Sequence, residues 1–128
     1  MTLTDLEMAQ ADHERGRWFD LRDPVDGEPT GIRLRIAGPD SLTQRRAELR
    51  MVDQLAEAAD PQGRVSAERR EAIRLDALAA VVLDWELPGE DGPTPLTQAN
   101  ILRLLNAARW VREAVDAFAA DRTAYRIR

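Results

Sequence analysis

Residues 81–111 read VVLDWELPGEDGPTPLTQANILRLLNAARWV, and the middle of that stretch constrains the fold more than any other part of the chain. From Leu87 to Pro95 it carries three prolines and two glycines. Proline fixes its own φ and has no N–H to donate, so neither a helix nor a central strand can run through this segment. It has to be a surface loop with ordered chain on both sides. Directly after it, Thr97 has the chemistry of an N-cap, a hydroxyl able to accept from the free N–H groups of a first helical turn. Leu96 and Ile101 occupy the two positions of a hydrophobic staple.

Three helices follow from the same punctuation. Gly38-Pro39-Asp40 breaks the chain, and Ser41 with Gln44 has the spacing of a capping box, so a helix is expected over about 41–59, stopped by Asp60-Pro61. Its stripe of Leu42, Leu49, Val52, Leu55, Ala56 and Ala59 is expected to face the core. Ser66 caps a second helix, expected over about 66–85. That helix is apolar over more than half its circumference toward Val81, Val82 and Trp85. From Thr97, spacings of three and four link Ile101, Leu104, Ala108, Val111, Val115, Phe118 and Tyr125, which supports a helix over about 97–120. Asn106 and the pair Ala107-Ala108 favour a bend within it, and the basic end RTAYRIR is expected to fray.

The first half differs in period. Ile32-Arg33-Leu34-Arg35-Ile36 alternates apolar and charged residues, and Arg17-Trp18-Phe19-Asp20-Leu21 reads as a second strand. Between them, Asp23-Pro24, Asp26-Gly27 and Gly31 supply turn chemistry, so an antiparallel hairpin is expected over 17–37. Ile32, Leu34 and Ile36 should face a buried side and the two arginines water. A lone hairpin is not stable, so the helices must cover it. The first sixteen residues are polar, with Leu3, Leu6 and Met8 as weak apolar points, and are expected to be a flexible arm or a short turn of helix. The expected fold class is therefore α+β, mainly α-helical: an N-terminal β-hairpin packed on three to four helices in a single domain over residues 17–128.

Composition limits the chemistry. The 128 residues include no cysteine, which removes disulfides, thiolate nucleophiles and sulfur-based zinc sites. The net charge is −5, so the chain as a whole repels nucleic acid and anionic lipid. All 18 basic residues are arginine, a bias spread over the whole sequence, which therefore marks no particular site. No run approaches the roughly 20 apolar residues that span a bilayer, and the N-terminus lacks a charged-then-apolar leader. Neither nucleic acid nor membrane is an expected partner.

No GxxxxGK[ST], GxGxxG or GxSxG occurs, so phosphate cradles and nucleophile elbows are missing. His13 is the sole histidine and, lying in the polar arm, is expected at the surface. No catalytic residue, metal ligand or cofactor site is assigned, and no enzymatic activity is expected. The arginine groups around Arg45 and Arg69 are interleaved with Glu48, Asp53, Glu68 and Glu71, the pattern of solvated, salt-bridged helix faces. What remains is apolar. Val81, Trp85, Trp110, Val111, Val115, Phe118 and Tyr125 offer more apolar area than a hairpin and one other helix need bury. Part of this set is expected to face a partner, and self-association through it is expected when none is present.

In order and character the chain resembles the tail assembly chaperones of long-tailed bacteriophages and prophages. The opening half of that family is similar to the strand near RWFDLRDPVDGEPTG, the second strand leading into Gly38 to Ser41, and the arginine-rich helix. Its second half carries a W…G…P-L-T…N…L-L pattern that falls here on Trp85, Gly92, Pro95, Leu96, Thr97, Asn100, Leu104 and Leu105, before a V…F helix. The resemblance runs from Arg17 onward. It implies a non-enzymatic protein of the host bacterial cytoplasm that binds the tape measure protein and keeps it soluble while the tail tube assembles. Such a protein is not expected in the mature virion. Tail tube subunits are a further implied partner, through a longer frameshifted product whose extension this sequence does not show. A helical nucleic-acid-binding regulator and a structural head-tail or tail component of the virion are the competing readings.

Overall fold

The computed structural model describes residues 1–126; the last two residues of the RTAYRIR end lie outside the described residues. The expected hairpin is present as β1 (Arg17–Arg22) and β2 (Pro29–Ile36), antiparallel, with Phe19 opposite Leu34 and Asp20 opposite Arg33. The turn is closed by Asx chemistry: Asp23 Oδ1 accepts from Val25 N and Asp26 Oδ1 from Glu28 N.

A third strand, β3 (Val82–Glu86), completes the sheet on the far side of β2, giving the order β1-β2-β3 with β2 central. This corrects the helix expected over 66–85, which ends at Ala79. The run VVLDWE conceals its period because the ladder slips. Asp84 pairs with Arg35 but Val82 pairs with Ile36, so one extra residue, Leu83, is accommodated in β3. The bulge puts both Val82 and Trp85 on the buried side, three residues apart, which mimics a helical spacing. On the inner face Phe19, Leu34 and Trp85 lie in one cross-strand row. On the outer face the matching row is Asp20, Arg33 and Glu86. There Arg33 donates to Asp20 at 2.9 Å and to Glu86 at 3.2 Å, with its guanidinium 4.8 Å from the Trp18 ring centre.

Five α-helices accompany the sheet, and the last four of them contribute to the core cluster. The first, α1 (Leu3–Arg15), stands where a flexible arm or a short turn of helix was expected, and is a helix of 13 residues. Thr2 and Asp5 form a reciprocal capping box, with Thr2 N donating to Asp5 at 2.8 Å and Asp5 N to Thr2 Oγ1 at 3.2 Å. Gly16, at φ 77°, ends the helix in a backbone region that favours glycine. Residues 1–11 are all exposed, with Glu7, Gln10 and Ala11 bordering a shallow pocket beside Leu42, and the buried anchor of α1 lies in its last turn. His13 is the anchor there and is buried, not at the surface as expected. Its carbonyl accepts from Gly38 N, its Nδ1 accepts from Asp40 N at 2.9 Å, and its ring packs on Tyr125.

Helix α2 (Leu42–Ala58) starts at the expected cap, Ser41 Oγ accepting from Gln44 N at 3.0 Å. Its rotation differs from expectation. Gln44 does not reach back to the cap; its Nε2 donates to Ala37 O at 2.7 Å and Ala119 O at 2.8 Å. Those two bonds pin position 44 inward, so Ala47 and Met51, one and two turns on, follow it. Leu42, Leu49 and Val52, expected in the core, are 49%, 48% and 55% exposed.

After α3 (Ala67–Ala79) and β3, the Pro/Gly loop lies at the surface as expected, carrying only a two-residue ladder between Pro88-Gly89 and Gly92-Pro93. Thr97 caps α4 (Gln98–Ala107), accepting from Asn100 N at 3.1 Å. The expected bend is a full break at Ala108, whose extended backbone separates α4 from α5 (Arg109–Ala120). The core cluster runs from Leu34 and Ile36 of the sheet through Leu75 of α3 and Ile101 and Leu105 of α4 to Val115 of α5. The chain then turns through a short 3-10 helix, Arg122–Tyr125, which is ordered through Tyr125 where fraying was expected.

Candidate partner-binding groove

Most of the apolar residues expected to face a partner are used inside the molecule. Val81, Trp85, Val111, Val115 and Tyr125 are buried. Trp85 donates its indole N–H to Thr94 O at 2.9 Å, tying the Pro/Gly loop to the sheet. Tyr125 donates its hydroxyl to Ile36 O at 2.9 Å, and burial pushes its phenol well above the usual tyrosine range. Phe118 is half-buried, stacked on Phe19 with ring centres 4.8 Å apart and tilted against Tyr125 at 5.4 Å. Trp110 is half-buried. The physical reason is the unforeseen third strand: a three-stranded sheet has more inner face to cover than a hairpin, and α5 covers it.

The concave surface lies elsewhere, where α2, α3 and α5 converge on a groove of about 730 Å³. Its floor is apolar, from Ala47 and Met51 of α2, Leu75 and Leu78 of α3, Val81 beyond it and Ala119 of α5. Gln44 closes one side, already committed to its two carbonyls. The rim is charged and mixed in sign: Arg70, Arg74, Arg109 and Arg112 alternate with Glu48, Glu71, Glu113 and Asp116. Arg112 pairs with Glu71 and Arg74 approaches Asp116 at 4.0 Å, so α3 and α5 are bridged by ions over the apolar floor. These pairs are largely solvated and each contributes little to stability, up to about 1 kcal/mol.

The small size of the floor residues has a consequence. Ala47 and Ala119 leave room where a leucine at either position would fill the space. Of the residues expected to face a partner, only Val81 borders the groove, and it does so at its edge with 5% exposure. The sequence signal that could have found the site is the alanine pair of α5 (Ala119, Ala120) opposite Ala47 of α2, small residues on facing helices.

Chemically the groove is suited to holding an apolar ridge. Among the described residues no buried side-chain nitrogen or oxygen lacks a hydrogen-bond partner. No three His, Cys, Asp or Glu side chains among the described residues gather as a metal site. No helix among them is long and apolar enough to cross a membrane. Comparison with protein-family models, with characterised proteins and with solved structures gives no match.

Proposed function

We propose that this protein is a non-enzymatic tail assembly chaperone of a long-tailed phage or prophage, which holds a helical segment of the tape measure protein in the groove between α2, α3 and α5. The observation that carries the reading is the groove itself, an apolar floor of small side chains under a rim of both charges. A helix seats its i, i+3/i+4 and i+7 residues in such a floor while its flanking charges meet the rim. A tape measure is a long helical protein whose apolar faces need cover until the tube encloses them. A small acidic domain that masks one stretch at a time supplies that cover in the host cytoplasm and leaves as the tube closes. Tail tube subunits would then compete for the same stretch.

The test fills the groove without touching the core. Ala67 and Ala120 are exposed and line it. Ala67→Trp and Ala120→Trp are expected to retain the wild-type melting curve and to lose co-purification with fragments of a tape measure encoded beside this chain. Normal capture by both folded variants would remove the groove from consideration.

A further inference from the structure

We infer that the outward face of α2 is a self-association surface that pairs antiparallel with α2 of a second copy of this chain. The face is set by the rotation that Gln44 imposes. It presents Leu42, Leu49 and Ala56 at intervals of seven, with Val52 beside them, all exposed. A spacing of seven with apolar residues three or four apart is the pattern of a two-helix coiled-coil seam; Leu42, at its start, also borders α1 beside Glu7, Gln10 and Ala11. The groove lies on the opposite side of the same helix, through Ala47 and Met51, so the two surfaces do not compete.

Charge selects the occupant and its direction. The first half of α2 is basic along this face, with Arg45, Arg46 and Arg50, and the second half is acidic, with Asp53 and Glu57. Arg45 pairs with Glu48 of its own helix. Neither Arg46 nor Asp53 lies within 4.0 Å of an opposite charge among the described residues, and the charge acting on Arg46 is Glu14 of α1, whose carboxyl is held below the usual range first by the Thr43 hydroxyl and in smaller part by Arg46. Arg46 and Asp53 stand seven residues apart, too far to meet within one helix. Two copies set antiparallel about a two-fold axis beside Arg50 bring Leu49 of each against Val52 of the other. Leu42 then lies toward the Ala56 end of its partner, and Arg46 falls beside Asp53 twice over. A parallel in-register pair would instead set Asp53 against Glu48 of the partner and Arg46 against Ser41, a like-charge contact with no compensating ion pair. The two-fold arrangement is isologous and closes, giving a dimer and not a filament. One 17-residue helix is a small interface, so the dimer is expected to dissociate in the micromolar range.

The experiment exploits the symmetry. Sedimentation of the full chain should show a concentration-dependent dimer. Arg46→Asp alone creates two acidic pairs and Asp53→Arg alone two basic ones, so each should dimerise about tenfold more weakly or worse. Mixed one to one, the two variants form two complementary pairs across a heterodimer and should recover wild-type affinity, which no folding defect could mimic. Leu49→Asp should be monomeric with an unchanged far-UV spectrum. A wild-type chain that stays monomeric at millimolar concentration, or a mixture no tighter than its components, overturns the inference. So does a monomeric wild type whose Leu49→Asp variant loses a tape measure fragment, an outcome that would give this face to the partner.

Discussion

Tyr125 is the sharpest test of how the apolar residues divide between core and surface, because it is the only tyrosine in the chain and reports on itself. It is 1% exposed, its ring lies between His13 and Phe118, and its hydroxyl donates to Ile36 O at 2.9 Å. Tyr125→Phe keeps the ring and removes the hydroxyl, a net loss of about 1 kcal/mol. Tyr125→Ala removes the ring as well and costs about 4 kcal/mol, a large fraction of the roughly 5–15 kcal/mol that holds a domain of this kind. With a urea m-value of about 1.5 kcal/mol/M, the midpoint should fall by about 0.7 M and about 2.7 M respectively. The phenol supplies a second readout in the wild type. Its pKa is raised above the ordinary 10.0, first by burial and then by the charge of Asp121. A raised pKa means that the unfolded chain gives up this proton before the folded one. The associated stability is present below pH 10 and is lost as pH rises beyond it. Phenolate absorbance should therefore appear only with unfolding. A native protein that ionises Tyr125 near its ordinary value, with Tyr125→Ala costing less than about 1 kcal/mol, would refute the core assignment and return Tyr125 to the surface.

Two further outcomes are expected. Thr97→Ala should cost about 1 kcal/mol by removing the oxygen that accepts from Asn100 N, read as a lower thermal midpoint; an unchanged midpoint would mean that α4 does not depend on this cap. Acid should loosen the α1 anchor. Glu14 is held below its ordinary 4.5 first by the hydroxyl of Thr43, and Asp40 below its ordinary 3.8 first by the Arg122 guanidinium. Both depressed carboxylates favour folding above those values, and the contribution disappears as pH falls through the lower folded pKa values. Amide exchange in α1 should accelerate below about pH 4 before the rest of the domain opens, and uniform protection across that range would count against it.

The parts of the fold legible in the sequence are those fixed by neighbours in the chain. Ser41, Ser66 and Thr97 each cap the helix they precede, accepting from the N–H three residues on. The alternation of Ile32 to Ile36 gave the central strand and its wet face, and Ala107-Ala108 the break between α4 and α5. What was not legible is set by distant partners. The bulge at Leu83 hides the period of β3 and makes Val82 and Trp85 look helical. The rotation of α2 is decided by Gln44 reaching Ala37 and Ala119, the latter 75 residues away, which no local pattern encodes. The groove inherits that difficulty, since its floor exists only after α2 has turned its larger apolar residues outward. His13 is buried by Gly38 and Tyr125, where an added Cβ on Gly38 would stand 2.6 Å from the imidazole.

The third strand also orders the events of folding. Arg33 finds Asp20 across 13 residues but finds Glu86 across 53. Closing the longer loop costs about 1.2 kcal/mol more chain entropy than the shorter, so the hairpin can form while β3 is still unpaired. Until α2 and α3 have folded back, β2 offers a bare hydrogen-bonding edge with Leu34 and Ile36 uncovered. This is the arrangement through which nascent chains join one another. On a ribosome that interval lasts at least as long as synthesis of residues 37–86, several seconds at about 5–20 residues per second. The molecule is therefore most prone to aggregate before its final third has been made, and slowing translation over α3 should lower its soluble yield.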